Sequence, residues 1–213
     1  MKWRLAGDSL VTIELGAMID PRVHAQVLQL ASALAEACVH GVTDIVPAYG
    51  TIGVHFHPLV TDLAGLQSTV QRLRDSLPEA PVLSGRLHEI PVRYGGEAGP
   101  DLAEVAAFAG CSPEAVIDRH SRVEYRVYLL GFVPGFAYLG VVDPTIAVPR
   151  RRVPRERVPA GAVGIAGAQT GVYPTATPGG WQIIGHTSAA LVHHDRTPSA
   201  VLAPGDRVRF VPQ

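Results

Sequence analysis

An arginine-rich segment carries the most distinctive chemistry in the sequence. Five arginines lie within eight positions, with Glu156 as the only acid among them: Arg150, Arg151, Arg152, Arg155 and Arg157. Guanidinium groups bind carboxylates and phosphates through forked, charge-assisted hydrogen bonds. The segment repeats locally as PRRRVP and PRERVP, and Arg150 and Arg155 hold the same place in each unit. We therefore select Arg150 and Arg155 as anion-binding residues, with a solvated basic loop or a contact for an acidic partner as the alternatives.

Aromatic and polar side chains accumulate on both sides of this segment. Phe132 and Phe136 are expected to plug the mouth of a barrel. Five other residues have polar atoms that could orient a small substrate. We predict that these five bind substrate: Tyr138, Gln169, Thr170, Tyr173 and Trp181.

The same region is rich in glycine, from Gly161 to Gly180. No Gly-Lys-Ser/Thr follows the run, and it does not have the form of a dinucleotide fingerprint that opens a helix. We therefore expect no nucleotide cofactor on this chain. Tight barrel corners are the favoured explanation for the glycines, and backbone N–H contacts to an anion are the alternative.

Candidates for catalysis are few. Residues 131–187 contain neither serine nor cysteine, so no activated nucleophile is visible. His120 and His186 could transfer a proton if the fold brought them together, and each could equally be a structural histidine. His55 and His57 could share a strand face, but further ligands are not identified, so we predict no metal site.

Composition excludes several classes of protein. The chain has 213 residues and a formal net charge of −1, which gives no electrostatic reason for a nucleic-acid or anionic-membrane partner. Its two cysteines do not form a metal-site or disulfide pattern. Because no apolar signal region or membrane-length run is found, we expect a cytoplasmic protein.

The first part of the chain alternates between strand and helix patterns. Apolar spacing predicts helices near residues 23–38 and 63–77, the first opened by Asp20 and Pro21. Strands are predicted at 10–15, 42–46, 52–56 and within 82–92. The order βαββαβ indicates a ferredoxin-like α/β domain over residues 1–84.

The second part, residues 85–213, changes character. Two short helices are predicted at 101–109 and 113–120, and their weak likeness to a helix-turn-helix lacks a basic recognition face. Alternating strands from Val123 onward, separated by proline and glycine, favour an all-β barrel or sandwich. The predicted fold class is therefore α+β.

Several longer motifs carry a resemblance to a known family. GFVPGFAYLG, PR-x-x-VPR-x-x-VPAG, GIAGAQTGVYP and TPGGWQIIGHT resemble the family of the 5-oxoprolinase B subunit, the kinase inhibitor KipI and allophanate hydrolase subunit 1. The likeness extends over nearly the whole chain, from VPAYGTIGVHF to PGDRVRF.

The resemblance implies a cyclophilin-like β-barrel after the N-terminal domain. It also implies ATP-dependent opening of 5-oxo-L-proline to L-glutamate, carried out with the A subunit of 5-oxoprolinase and with its C subunit, a larger homologous barrel protein. The chain would then be inactive alone, would bind a small anionic substrate, and would leave the use of ATP to a partner. The alternatives are a KipI-like inhibitor of a histidine kinase and allophanate hydrolase subunit 1.

Overall fold

The computed structural model describes residues 1–16, 19–78, 85–193, 195, 197 and 199–213. The chain divides into two compact units, Met1–Ser84 and Gly85–Gln213. Each unit has its own buried apolar cluster, centred on a sheet in the first and on a barrel in the second.

The first unit packs two helices on a four-stranded sheet. Its elements are β1 (Lys2–Leu5), β2 (Leu10–Glu14), α1 (Pro21–Glu36), β3 (Val42–Ala48), β4 (Thr51–Phe56) and α2 (Leu63–Ser76). Asp20 accepts the backbone N–H groups of Arg22 and Val23, and so it caps α1 as its sequence position predicts. The stripe of Val27, Leu30 and Leu34 is buried in the core.

The strand order of this sheet is β1-β2-β4-β3. Both β2 and β3 run antiparallel to β4, which lies between them, so β2, α1 and β3 form the split β-α-β unit of a ferredoxin-like domain.

The prediction of a fourth sheet strand within residues 82–92 was wrong. Residues 79–84 lie outside the described part of the chain, and Leu87–Tyr94 belongs to the barrel. The position beside β2 is taken by Lys2–Leu5. This edge strand has only four residues and is mostly exposed, so its alternation of polar and apolar residues is too short to identify it as a strand.

A closed barrel forms the core of the second unit. Its strands are β5 (Leu87–Tyr94), β6 (Tyr125–Leu130), β7 (Ala137–Gly140), β9 (Ala162–Ala166), β10 (Gln169–Val172), β12 (Gln182–His186) and β13 (Arg207–Pro212). They follow one another around the barrel in the order β10-β7-β6-β13-β5-β12-β9. The predicted helices are present as α3 (Leu102–Ala109) and α4 (Pro113–Ser121). The α+β class with a barrel is thereby confirmed.

A small two-stranded sheet connects the arginine-rich segment to the end of the glycine-rich run. It consists of β8 (Arg155–Val158) and β11 (Thr177–Gly179), with an irregular register between Thr177 and Gly179. A separate apolar cluster that includes Phe136, Tyr173 and Trp181 packs within this unit. Among the helices of the described residues, none is both long and apolar enough to cross a lipid bilayer.

Candidate functional site

A pocket of about 240 Å³ opens in the barrel unit, between the sequence clusters singled out above. Four of the predicted substrate-binding residues line it: Tyr138, Arg150, Tyr173 and Trp181. Its other lining residues are Phe132, Phe136, Pro154, Pro178, Gly179 and Gly180.

Aromatic rings packed edge to face form the wall of the pocket. The Phe136 ring centroid lies 4.9 Å from that of Tyr138, 5.2 Å from that of Tyr173 and 5.4 Å from that of Trp181. Phe136 and Tyr173 are almost fully buried. This arrangement gives a stiff apolar surface with tyrosine hydroxyl groups attached to it.

Phe132 differs from its neighbour. The sequence suggested that Phe132 and Phe136 both plug the barrel mouth, and the structure contradicts this for Phe132, which is 60% exposed. Its backbone has φ of +72°, in the left-handed region that phenylalanine seldom occupies. The Phe132 ring makes an edge contact with Phe136, at 5.7 Å between centroids. It therefore lines the pocket as an exposed ring held in a strained backbone conformation.

Arg150 supplies positive charge to this pocket. Its side chain is exposed, and its Cζ lies 6.0 Å from the centroid of the Trp181 ring, at the limit of a cation–π contact. Burial raises the pKa of Tyr173, while hydrogen bonding to the Trp181 backbone and the charge of Arg150 oppose that rise. A guanidinium beside flat apolar walls is suited to a small planar anion.

Arg155 lies elsewhere. Its Nη2 donates to Oδ1 of Asp101 at 2.6 Å, and Nη1 of Arg151 donates to the same oxygen at 3.1 Å. Arg155 does not line the pocket, so the equivalence of Arg150 and Arg155 in the sequence repeat does not extend to their contacts. Sequence reasoning missed Asp101, which is buried. The cluster of arginines with a single acid nearby was a signal that a distant counterion was needed.

His120 lies in the barrel core and does not line the pocket. Its Nε2 is 2.8 Å from Oγ1 of Thr170, whose own proton goes to the carbonyl of Gly164 at 2.9 Å. Nε2 must therefore carry the proton, and Nδ1 accepts from the Tyr94 hydroxyl at 2.8 Å. Burial lowers the pKa of His120 to about 3. These contacts give His120 a structural role in place of the proton transfer expected from the sequence.

The remaining predicted residues also lie outside the pocket lining. Nε2 of His186 donates to the carbonyl of Ala160 at 2.9 Å, a different set of contacts from that of His120. Thr170 is buried against His120, and Gln169 begins β10, where it pairs with Gly140 and Ala166. The hydrogen bonds of the two histidines go to different partners, so no shared partner links them for proton transfer.

The histidine pair near the end of β4 does not share a strand face. The strand ends at Phe56, and Nδ1 of His57 accepts the backbone N–H of Leu59 at 3.3 Å. Within the described part of the chain, no group of three or more His, Cys, Asp or Glu side chains is arranged to hold a metal ion.

Sequence comparison defines the class of protein. The model of the carboxyltransferase domain, subdomain C and D, matches residues 1–202, and the chain belongs to this family. The B subunit of 5-oxoprolinase from Escherichia coli O157:H7 is 44% identical, over 98% of this chain and 94% of the relative. The B subunit of 5-oxoprolinase from Bacillus subtilis strain 168 is 41% identical, over 96% and 90%. The resemblance drawn from the sequence motifs is confirmed.

Solved structures agree with this assignment. TTHA0988 is 41% identical with a TM-score of 0.84, and the match covers 96% of this chain but only 40% of TTHA0988. PH0987 of Pyrococcus horikoshii is 42% identical with a TM-score of 0.59, over 100% of this chain and 97% of that chain. The urea amidolyase of K. lactis, at 18% identity and a TM-score of 0.79, shares the fold.

Proposed function

We propose that this chain is the B subunit of an ATP-dependent 5-oxoprolinase and that its aromatic pocket takes part in opening 5-oxo-L-proline to L-glutamate. Two relatives of that name align over at least nine-tenths of their own lengths, which supports the assignment. The structural observation that carries the proposal is the guanidinium of Arg150 beside the Trp181 ring in a pocket of about 240 Å³.

The substrate has the chemistry that this pocket would recognise. 5-Oxoproline is a small, flat lactam ring with one carboxylate. Arg150 would bind the carboxylate, and the faces of Trp181 and Tyr138 would cover the ring. The hydroxyl groups of Tyr138 and Tyr173 would bond to the polar edge of the lactam. Such contacts hold the ring in one orientation while the lactam carbonyl carbon is attacked and its C–N bond breaks.

The chemical step requires more than these residues. The described residues that line the pocket are aromatic, proline and glycine residues and one arginine, and no serine, cysteine or carboxylate is among them. We therefore propose that ATP activates the lactam on a partner protein, and that the A and C subunits of 5-oxoprolinase complete the complex. This chain binds no cofactor of its own in this scheme, and it is inactive alone.

Reconstitution tests the proposal. The chain is mixed with the A and C subunits, and glutamate formed from 5-oxoproline is measured with and without ATP, omitting one component at a time. We expect turnover only when all three chains and ATP are present. Turnover that does not change when this chain is omitted would overturn the proposal.

The same preparations distinguish the proposed function from the regulatory alternative. A KipI-like inhibitor would bind a histidine kinase tightly and block its autophosphorylation, while 5-oxoproline turnover would not depend on it. We expect no such inhibition at chain concentrations that saturate turnover.

A further inference from the structure

Asp101 lies at the start of a helix, but its side chain bonds to groups outside that helix. It holds the N-cap position of α3, yet its carboxylate makes no capping hydrogen bond. Instead, Oδ2 accepts the backbone N–H of Ile183 at 2.6 Å, and Oδ1 accepts from Arg151 and Arg155. The residue is only 3% exposed, so this carboxylate is a buried anion whose charge is met by two guanidinium groups.

These contacts join the two chain segments that carry the cationic and indole walls of the pocket. Ile183 lies two residues after Trp181, and its carbonyl also accepts the backbone N–H of Asp101 at 2.9 Å. Arg151 directly follows Arg150. Asp101 is therefore bonded to both segments. It makes two hydrogen bonds with the backbone of Ile183 on one side and an ion pair with Arg151 on the other.

The backbone on each side of Arg150 is tied to the same region. The N–H of Arg151 donates to the carbonyl of Gly180 at 2.8 Å, and Nε2 of Gln182 donates to the carbonyl of Pro149 at 3.4 Å. Both peptide groups that flank Arg150 are therefore hydrogen-bonded to the segment that carries Trp181. The ion pair of Arg151 with Asp101 adds a side-chain anchor next to it.

We infer that Asp101 is a positioning residue for the pocket: it holds the segment that carries Arg150 in register with Trp181, and so sets the affinity for the carboxylate of the substrate. The positioning of Arg150 stands on the contacts above, whereas the effect on 5-oxoproline rests on the proposed function.

Two substitutions near the start of the same helix test the inference. Asp101→Asn keeps an oxygen for the N–H of Ile183 but removes the charge that holds the arginines. Glu104→Gln is the matched control, because Glu104 approaches the same Arg151 at 3.8 Å from a side chain that is 64% exposed. In the reconstituted complex we expect Asp101→Asn to raise the KM for 5-oxoproline about tenfold with little change in kcat, because binding to Arg150 is present before and during the reaction. Glu104→Gln should leave both constants unchanged.

A double-mutant cycle separates positioning from general damage to the fold. If Asp101 acts through Arg150, Asp101→Asn should have no further effect on KM once Arg150 is replaced by Ala. Full additivity of the two changes would overturn the inference. An equal rise in KM for Glu104→Gln would do so as well.

A second measurement does not depend on turnover. The ring current of Trp181 should shift the NMR signal of the Arg150 side-chain Nε–H, and the signal can be assigned by its loss in Arg150→Lys. Asp101→Asn should move this signal toward the position of an arginine with no aromatic ring beside it, whereas Glu104→Gln should not. If wild-type complexes gave no turnover, the proposed function would fail and this test would still decide the geometry. An unmoved signal in Asp101→Asn would contradict the inference.

Arg151→Gln provides the same test if Asp101→Asn does not fold. It keeps the contacts of Asp101 with Arg155 and Ile183 and removes the anchor next to Arg150, together with the exposed approach of Arg151 to Glu104. We expect the same direction of change in KM and in the Arg150 signal. No change in either would overturn the role assigned to the ion pair.

Discussion

At the scale of single residues, the proposed function makes Arg150 the group that binds the carboxylate of the substrate. Arg150→Ala removes a charge-assisted hydrogen bond to the ligand, which contributes about 1.5–3 kcal/mol, so we expect KM for 5-oxoproline to rise about 10–100-fold. Arg150→Lys keeps the charge but loses the planar fork, and its KM should lie between those of the wild type and Ala. Steady-state kinetics of the reconstituted complex provide the measurement. An unchanged KM in Arg150→Ala would contradict this role.

Phe132 should show opposite effects on stability and function. Its left-handed backbone costs about 1–2 kcal/mol for a residue with a side chain, so Phe132→Gly should raise the free energy of unfolding by about 1 kcal/mol. The same change removes an aromatic wall and should raise KM. Phe132→Ala is the control, because it removes the ring but keeps the strain. Urea unfolding gives the stability of the two variants, and steady-state kinetics give their KM. Equal free energies of unfolding for Phe132→Gly and Phe132→Ala would contradict this account.

His120 should make the stability of the protein depend on pH. Its folded pKa of about 3 lies below its ordinary value of 6.5, so the unfolded chain takes up this proton first. The stabilisation is complete above about pH 6.5 and is lost as the pH falls toward 3. Between pH 7 and pH 5 this one group should remove about 2 kcal/mol from the free energy of unfolding. His120→Gln should lack that part of the pH dependence, as measured by urea unfolding at pH 7 and pH 5. An equal change in the free energy of unfolding for the wild type and the variant would contradict this prediction.

At the scale of elements, Asp206 connects the segments that lead into β5 and β13, the first and last strands of the barrel in chain order. Its Oδ1 accepts the N–H of Arg86 before β5, and its Oδ2 accepts the N–H of Ala203 before β13, both at 3.0 Å. Nε2 of His88 also approaches Oδ2, at 3.0 Å. These contacts support the parallel pairing of β5 with β13.

Asp206→Ala should therefore weaken the barrel. It removes the acceptor of two partly buried backbone N–H groups, and we expect a loss of about 2 kcal/mol in the free energy of unfolding. Glu124→Ala is a suitable control beside the same strand, since its ion pairs with Arg207 and Arg209 are largely exposed and should contribute less than about 1 kcal/mol. Denaturant unfolding followed by circular dichroism measures both, and a similar loss in the two variants would refute the role of Asp206.

The elements show what the sequence can and cannot reveal. The helix α1 was predictable because Asp20, Pro21 and the stripe through Leu34 are local signals, each acting within a few residues. The edge strand β1 and the allocation of Leu87–Tyr94 to the barrel were not, because strand partners are chosen by contacts between distant parts of the chain.

The residues of the candidate site were also predictable only in part. Tyr138, Arg150, Tyr173 and Trp181 were identified from residue type and loop context, and they meet in one pocket. The sequence could not distinguish Arg150 from Arg155, because the difference is set by Asp101, about fifty positions away. Nor could it show that His120 is enclosed by Tyr94 and Thr170, since burial of a polar ring depends on the whole barrel.

At the scale of the whole molecule, the two compact units should be separable. All barrel strands and both helices packed on them come from residues 85–213, and the sheet of the first unit comes from residues 1–84. We expect a fragment of residues 85–213 to fold alone, with cooperative thermal unfolding and a dispersed NMR spectrum. A fragment that starts at residue 95 lacks β5 and is the control, which should not fold. Failure of both fragments would show that the barrel depends on the first unit.

The pairing at Asp101 also leaves charge uncancelled. Asp101 and Glu104 bring two carboxylates to Arg151 and Arg155, and Arg150 adds a third guanidinium group. These five side chains therefore carry a net positive charge, although the whole chain carries a net charge of −1. The charges of Arg150 and Arg155 both oppose the rise in the pKa of Tyr173, a residue of the pocket wall. Long-range attraction of this kind speeds the encounter with anions and fades as ionic strength rises. The entry of a carboxylate ligand should therefore be faster than that of its neutral amide, and the difference should shrink in salt.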